Sequence, residues 1–359
     1  MASTISRKLA AIAAAVAIAA ASHTAFAADE ALSLSDFGVF SSGGTVTAPV
    51  AGEYNYKKNW QDMTRAGTTA HVDHASVLYA IPSKSNGIPV VMLHGYGQSR
   101  TGFITTPDGR QGWAQHFMRK GYPVFLVDQP RRGEAGSTVS MTSDALDAKD
   151  GGKSKDYMPG DQAWYTHFRI GRVAPETYEG SQFPAGDRAQ DQFFRQMTPN
   201  TGSFDVKVNA DALAHVLKDA RSMAGGRKAV FIAHSQGCTV AVNTSMKNAA
   251  ALVLIEPGRA PAVGSEQFKA LLASKIPVIF YYGDYIANGP ADIDSTKFWQ
   301  ESLASARAFA KAFNEQGGDA EVVSLPDEGI HGNSHFMFEE KNSDQVADSL
   351  ISRLNAKGL

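Results

Sequence analysis

A serine with small neighbours follows a short apolar run in the second half of the chain. The sequence KAVFIAHSQG places Ser235 two residues before Gly237, directly after residues typical of a buried strand. A serine hydroxyl attacks a carbonyl carbon only when a base takes its proton and a third group orients that base. Such a serine often lies on a sharp strand-to-helix turn with small flanking residues. Ala233 stands where the first glycine of that pattern is usual, and we expect alanine to be tolerated there.

A base for Ser235 must come from a late histidine if the chain order is serine, acid, histidine. Two histidines follow the last predicted strand, in DEGIHGNSHFMFEEKN: His331 and His335. We prefer His335, because small residues precede it and permit a tight turn toward the sheet. Of the earlier histidines, His94 is interpreted as a structural residue of its loop and His234 as a core residue.

Two carboxylates compete to orient that histidine. Glu256 ends the apolar run ALVLI, and Asp284 follows the next such run in YYGD. A carboxylate buried at the end of an apolar strand is costly unless it is paired, and a histidine Nδ1–H is a natural partner. This reasoning favours Glu256. Asp284 is the alternative acid, and otherwise a turn residue or a supporting acceptor.

Backbone donors for a developing oxyanion are expected on two loops. The glycine-rich sequence HGYGQS, which begins at His94, follows the apolar run IPVVML. We assign one donor to the backbone N–H of Tyr96 in this loop and the other to that of Gln236, directly after the serine. Gln236 would open a helix, where the helix dipole also favours negative charge. The alternative for HGYG is an ordinary glycine-rich turn.

Apolar runs and helical periods alternate from residue 88 to the end of the chain. Predicted strands cover 88–95, 122–130, 228–234, 251–258, 276–284 and 320–326, and predicted helices cover 112–121, 205–223, 236–248, 298–316 and 344–356. Uninterrupted apolar runs are typical of strands buried on both faces, so we expect an α/β fold with a mostly parallel sheet between helices. Ligands bind beyond the carboxyl ends of such strands. Earlier, 71–82 predicts an antiparallel strand and 28–58 irregular or hairpin structure.

One connection is far longer than the others. Roughly seventy residues separate Arg132 from Asp205, and connections of this length are usually functional or disordered. Aromatic residues within it favour a packed segment: Trp164, Tyr165, Phe168, Tyr178, Phe183, Phe193 and Phe194. We therefore expect an insertion at about 134–204 that forms a lid over the carboxyl end of the sheet. The alternative is a segment packed elsewhere on the surface.

The first 27 residues are typical of a signal peptide. Arg7 and Lys8 precede the apolar run LAAIAAAVAIAAAS, and alanines flank Phe26. The apolar run is too short to cross a bilayer, so we predict cleavage after Ala27 and no membrane anchor. The mature chain, 28–359, would then be a single domain that is periplasmic or secreted.

Composition restricts the partners. A net charge of −2 gives no sign of the basic face that a nucleic acid requires. The one cysteine, Cys238, excludes an intrachain disulfide and is interpreted as a buried apolar residue. His71 and His74 have no third ligand nearby, so no metal is expected, and serine chemistry needs no cofactor. The oligomeric state stays open, a homodimer included.

Together the motifs resemble the α/β-hydrolase superfamily and, within it, secreted bacterial carboxylesterases of the esterase 713 type. The resemblance extends from about His71 to the C-terminal helix, and its most specific motifs are TTPDGRQGW, FMRKGYPVFLVDQPRRG, HSQG, IEPG, and GIHGNSH followed by EEKNSDQVAD. Some relatives carry two adjacent cysteines directly after HG, where this chain has Tyr96 and Gly97. We therefore expect this loop to be held in another way.

The resemblance implies a triad of Ser235, Glu256 and His335, with Tyr96 and Gln236 as oxyanion donors. The expected activity is cleavage of a small-molecule carboxylic ester through an acyl-enzyme. The alternatives are an amidase or a hydrolase of polymeric esters on the same triad, and a non-catalytic binding protein with this fold.

Overall fold

The computed structural model describes residues 31–48, 50–58, 66–136 and 160–359. The predicted signal peptide, 1–27, lies outside the described residues, as do positions 137–159 of the predicted insertion. Within the described ranges, no helix is both long enough and apolar enough to cross a bilayer.

In the described part of the chain, eight strands form one sheet. In spatial order they are β1 (Leu34–Ser42), β4 (Ala75–Pro82), β6 (Val124–Asp128), β5 (Val90–Leu93), β7 (Ala229–His234), β8 (Ala249–Ile255), β9 (Val278–Tyr282) and β10 (Ala320–Ser324). β4 is antiparallel to both of its neighbours, and every other pairing is parallel. Two short strands, β2 (Thr45–Thr47) and β3 (Ala70–Val72), pair with each other. The predicted α/β fold with a mostly parallel sheet is confirmed.

Helices surround this sheet. They are α1 (Trp113–Arg119), α2 (Asp161–His167), α3 (Asp187–Arg195), α4 (Val206–Met223), α5 (Gln236–Ala241), α6 (Glu266–Ser274), α7 (Asp294–Glu315) and α8 (Ser343–Ala356). Every residue of β5, β6, β7 and β9 is buried, so both faces at the centre of the sheet are covered. This is why the sequence shows apolar runs there instead of an alternating pattern.

Helix α4 illustrates how sequence determines one of these elements. The carboxylate of Asp205 caps its first turn by accepting a hydrogen bond from the backbone N–H of Val208, at 3.1 Å. Its buried residues include Ala210, Leu213 and Leu217, which recur every three or four positions. That apolar stripe packs on the sheet at β1, β4, β5 and β7.

Three sequence predictions are wrong in their extent. Residues 34–42 form a nine-residue edge strand paired with β4, where 28–58 was expected to be irregular or a hairpin. The strand expected over 71–82 is divided at Asp73, whose φ of 59° is incompatible with a continuous strand. The helix expected over 236–248 ends at Ala241, and the side chains of Asn243 and Thr244 then bond to backbone carbonyls one turn earlier.

The described part of the insertion, 160–204, contains α2 and α3 and has a small core of its own. Five of its side chains are buried together with Phe336: Trp164, Tyr165, Ile170, Phe183 and Phe193. Since Phe336 directly follows His335, this part of the insertion contacts the segment that carries the predicted base.

Cys238 lies in α5 and is 2% exposed. Its Sγ–H donates to the backbone carbonyl of Ala233 at 3.1 Å, as expected of a small buried residue. His71 is exposed and His74 half-buried. Within the described residues, no three His, Cys, Asp or Glu side chains are grouped so that they could hold a metal ion.

Candidate active site

Ser235 lies at a strained turn between β7 and α5. Its φ of 52° and ψ of −118° are rarely adopted by a residue with a side chain. The turn is fixed from both sides, because the Ser235 N–H donates to the carbonyl of Ile255 and its own carbonyl accepts from the N–H of Cys238, each at 2.9 Å. Strain of this kind persists only where the surrounding structure enforces it, and it is commonest at functional sites.

Close backbone approaches explain the small residues around this turn. A Cβ at Gly237 would lie 2.5 Å from the carbonyl oxygen of His94, and a Cβ at Gly95 would lie 2.8 Å from the Cβ of Ser235. These distances place the loop after β5 directly against the serine. Glycine is therefore required at both positions for the loop and the turn to meet.

His335 and Glu256 form a buried pair, at 1% and 0% exposure. The Nδ1–H of His335 donates to Oε2 of Glu256 at 3.3 Å. Since a carboxylate only accepts, this contact leaves Nε2 as the unprotonated, basic nitrogen of a neutral ring. Within the described residues, Nε2 is buried and has no hydrogen-bond partner. A free basic nitrogen on an oriented imidazole is what proton removal from a hydroxyl requires.

The carboxylate of Glu256 is also held from the other side. Its Oε1 accepts a hydrogen bond from the N–H of Gly283 at 2.6 Å, and its own N–H donates to the carbonyl of Tyr281 at 2.8 Å. Glu256 has a φ of 51°, a second strained residue directly after a strand. The buried carboxylate is thus satisfied by specific donors, as its position in an apolar strand end demands.

The two alternative candidates, the acid Asp284 and the base His331, lie beside each other and are not part of the His335–Glu256 pair. The carboxylate of Asp284 accepts from the N–H of Gly332 at 2.9 Å and lies 3.5 Å from Nδ1 of His331. His331 is largely exposed. The Asp284 N–H donates to the carbonyl of Asn333 at 2.7 Å, so Asp284 supports the loop that leads to His335.

Arg169 is a member of the site that the sequence did not reveal. It follows α2 in the insertion, and its Nη2 donates to Oε1 of Glu256 at 2.6 Å. Its Nε donates to the carbonyl of Asp284 at 3.0 Å, and its guanidinium lies 4.8 Å from the ring centre of Trp299. No local pattern marks an arginine whose acidic partner lies 87 positions away. The aromatic residues of the insertion were the one feature of the sequence that indicated packing of this segment over the site.

Phe168 precedes Arg169 and covers the imidazole. Its ring stacks on that of His335 with centroids 4.5 Å apart and an interplanar angle of 15°. Its carbonyl accepts from the backbone N–H of His335 at 3.1 Å. The insertion therefore contacts both members of the buried pair, the carboxylate through Arg169 and the imidazole through Phe168.

Electrostatics favour the neutral form of His335. Burial lowers its pKa well below the usual value, and the positive charge of Arg169 and the neighbouring His167 lower it further. His94 is also neutral, because burial above all lowers its pKa to about 3. Its Nδ1–H donates to the carbonyl of Gly95 at 2.9 Å, and its Nε2 accepts from the N–H of Gln129 at 3.3 Å. His94 therefore braces the loop after β5.

Arg132 and Thr198 hold the loop that carries Tyr96. Arg132 is fully buried, donates from Nη1 to the carbonyl of Gly95 at 2.7 Å and lies 5.8 Å from the ring centre of Tyr96. The N–H of Thr198 donates to the carbonyl of Gly97 at 2.8 Å. In this chain, which lacks the adjacent cysteines of some relatives, these contacts hold the loop in place. They also bring the insertion against this loop.

Gln236 is the first residue of α5, so its backbone N–H has no acceptor within the helix. Its side-chain Oε1 accepts from Nη2 of Arg132 at 3.4 Å. The predicted donors Tyr96, on the loop after β5, and Gln236, at the start of α5, thus lie at the carboxyl ends of β5 and β7, which are adjacent parallel strands.

Comparison with known proteins agrees with this architecture. The family model described as alpha/beta hydrolase family matches residues 90–330. The chain belongs to this family. A novel bacterial esterase of known structure is 30% identical, with 91% of this chain and 98% of the esterase covered and a TM-score of 0.74. A probable secreted lipase, phiG, of a fungal species (strain ATCC 74256) is 23% identical over 322 residues, 76% of this chain and 83% of the lipase. The resemblance drawn from the motifs is confirmed.

Proposed function

We propose that this protein is an exported serine hydrolase that cleaves carboxylic esters through an acyl-enzyme. Ser235 is the nucleophile, His335 the general base and Glu256 the group that orients it. The observation that carries the proposal is the buried His335–Glu256 pair, which leaves Nε2 unpartnered within the described residues. Ser235 supplies the second half of the argument, since a strained turn holds it against the loop of Tyr96.

The chemistry takes two half-reactions. Oγ of Ser235 attacks the ester carbonyl carbon while Nε2 of His335 takes the hydroxyl proton. The tetrahedral intermediate collapses, the alcohol leaves with that proton, and the acyl group stays on Oγ. Water then attacks the acyl carbon, His335 again takes the proton, and Oγ recovers it as the acid departs. Glu256 keeps the imidazole in one tautomer and stabilises its protonated form.

The negative oxygen of each intermediate is stabilised by the backbone N–H groups of Tyr96 and Gln236. Each such donor contributes about 3 kcal/mol in the transition state. The site needs no metal or cofactor for these steps.

The choice of ester over other bonds is supported by what this chain is similar to, a bacterial esterase and a probable secreted lipase. An amide or a polymeric ester could undergo the same steps, so these remain the alternative substrates. Export is supported by the sequence of residues 1–27 and by the secreted relative. A non-catalytic binding protein would not need a strained serine or a free basic nitrogen.

The test is covalent labelling of the mature protein with a fluorophosphonate probe, located by peptide mass spectrometry. Ser235 should carry the label, and Ser235→Ala should lose both labelling and the hydrolysis of p-nitrophenyl esters. A parallel series of anilides and polyester films measures the competing substrates. Label on another residue, or full activity in the alanine variant, would refute the proposed nucleophile.

A further inference from the structure

Glu339 is a fully buried carboxyl group four positions after His335. Its Oε1 lies 3.1 Å from the side-chain nitrogen of Gln98, and its Oε2 accepts from the side-chain nitrogen of Gln196 at 2.7 Å. Gln98 belongs to the loop of Tyr96, and Gln196 to the insertion. One carboxyl group thus connects three segments of the candidate active site.

From Gln98 the hydrogen bonds continue through His234 to the segment that carries His335. The other end of the Gln98 amide lies 2.8 Å from Nδ1 of His234, the residue directly before Ser235. Nε2 of His234 lies 3.0 Å from the backbone carbonyl of His335. Glu339, Gln98 and His234 therefore form a buried chain of hydrogen bonds that ends on the main chain of the proposed base.

The direction of each hydrogen bond follows from the backbone carbonyl of His335, at which the series ends. A carbonyl oxygen only accepts, so His234 must carry a proton on Nε2. Burial and the nearby His335 lower the pKa of His234 well below its usual value, so the ring is neutral and its Nδ1 accepts. The Gln98 amide must then present its NH₂ group to His234 and its oxygen to Glu339, an orientation reached by turning the amide through 180°.

An amide oxygen facing Glu339 requires a donor on that carboxyl group. Only a protonated carboxyl can supply one. Gln196 still donates to the other oxygen of Glu339. In this arrangement each of the three side chains Glu339, Gln98 and His234 is neutral and hydrogen-bonded. The opposite arrangement needs a buried imidazolium and a buried carboxylate with an amide between them, at the full cost of two desolvated charges.

We propose that Glu339 is a positioning residue that acts as a neutral carboxylic acid, donating to Gln98 and so fixing the Tyr96 loop and the main chain of His335. Loss of its proton in alkaline solution breaks the chain and lowers the rate. This inference rests on the proposed function, because the loop and the histidine matter only if they are catalytic.

The surroundings of Glu339 support the neutral form. Burial above all, together with the adjacent Glu340, raises its pKa to about 8, although the side-chain contacts with Gln196 and Gln98 act in the opposite direction. On the 3-10 helix Arg100–Phe103, Gly102 has no room for a Cβ beside Oε1 of Glu339, so this helix packs directly on the carboxyl. Its charged residue, Arg100, is paired with Glu134 and with Asp128. No Lys or Arg within the described residues forms an ion pair with Glu339.

Glu340 is the matched control. It is equally buried, and its pKa is raised to about 7, mainly by burial. Its oxygens accept from the N–H of Ser334 and from the side-chain nitrogen of Asn333, at 2.8 to 3.2 Å. Since both partners are donors, an ionised Glu340 satisfies them and no proton is required there.

The experiment compares pH profiles of kcat and KM for a p-nitrophenyl ester between wild type, Glu339→Gln, Glu339→Leu and Glu340→Gln. Glutamine can donate from its NH₂ to Gln98 and accept from Gln196, so Glu339→Gln should rescue the rate and abolish the fall near pH 8. Leucine breaks the chain, and kcat should drop on the order of tenfold with KM little changed. Glu340→Gln should keep the alkaline fall.

Infrared spectroscopy tests the protonation directly and does not depend on turnover. The wild type should show the C=O stretch of a protonated carboxyl group that disappears as the pH passes 8, and this component should be absent from Glu339→Gln and retained in Glu340→Gln. Glu340, whose pKa is about 7, contributes a separate component that is lost at lower pH. An alkaline fall that persists in Glu339→Gln, or equal losses of kcat in the glutamine and leucine variants, would overturn the proposal. A missing carboxyl band would do the same. Failure of Ser235 to label would instead overturn the proposed function, while the band would stay.

Discussion

Removing the positive charge of Arg169 should move the acid limb of the pH–rate profile to higher pH. In the proposed mechanism His335 acts as a base only when it is neutral, and Arg169 opposes its protonation from across the Glu256 carboxylate. Arg169→Met retains much of the side-chain length that packs over Trp299 but loses the charge. The pKa of His335 should rise, and with it the pH below which kcat/KM declines.

The size of the shift follows from the geometry. Arg169 lies 2.6 Å from one oxygen of Glu256, and His335 lies 3.3 Å from the other. The two cationic groups would then be roughly 7 Å apart, and an effective dielectric constant of about 20 gives a repulsion of about 2 kcal/mol. Such an energy corresponds to a shift on the order of 1.5 pH units.

The assay is kcat/KM for a neutral ester from pH 4 to 8, with circular dichroism at each pH to establish that the variant is folded. Arg169→Lys keeps the charge and should leave the limb near its wild-type position. Arg172→Met is the control within the same segment, because Arg172 is exposed and bonds to Asp292. A limb that stays in place or moves to lower pH in Arg169→Met would refute the reasoning.

Three further experiments test separate parts of the structure. Glu256→Gln should lower kcat on the order of a thousandfold, and Asp284→Asn by less than about tenfold, in steady-state ester hydrolysis, because Glu256 and not Asp284 accepts from the imidazole of His335, the proposed base. Urea unfolding of wild type should lose stability as pH rises from about 4.5 to 8, by up to about 1.4 kcal/mol per pH unit relative to Glu339→Gln. The sign follows because the folded pKa of Glu339 is raised from 4.5 to about 8, so the folded state keeps a proton that the unfolded state releases. Gly237→Ala should cost about 1–3 kcal/mol in the same measurement, since its Cβ would lie 2.5 Å from the carbonyl oxygen of His94.

The centre of the sheet could be predicted because burial on both faces leaves a clear mark on the sequence. Runs such as VVML in β5 and VFLVD in β6 are apolar throughout, or nearly so, and their shortness and the glycines and prolines that flank them favour strands over buried helices. The edge strand β1 has no such mark. Its sequence LSDFGVFSS is mostly exposed and contains glycine and serines, so the pairing with β4 decides its conformation.

The contacts of the candidate site were predictable where chemistry restricts the choice and unpredictable where distant segments meet. Glu256 could be inferred because a carboxylate at a buried strand end needs a partner. Arg169 and Glu339 could not, since their partners come from segments remote in the sequence. The run EEKN around Glu339 is typical of a solvated surface, yet both of its glutamates are buried. Only the packing of three segments reveals why.

The same contacts explain why alanine replaces one glycine of the serine turn and not the other. Ala233 is the penultimate residue of β7, in register with Leu93 of β5 and Leu254 of β8, and its methyl group is fully buried in the core that covers the sheet. A strand position of this kind has ordinary backbone angles, so a Cβ adds packing without strain. Gly237 instead lies against a backbone carbonyl that cannot withdraw without moving the loop of Tyr96. The two small positions around Ser235 therefore have different causes, and only the second requires glycine.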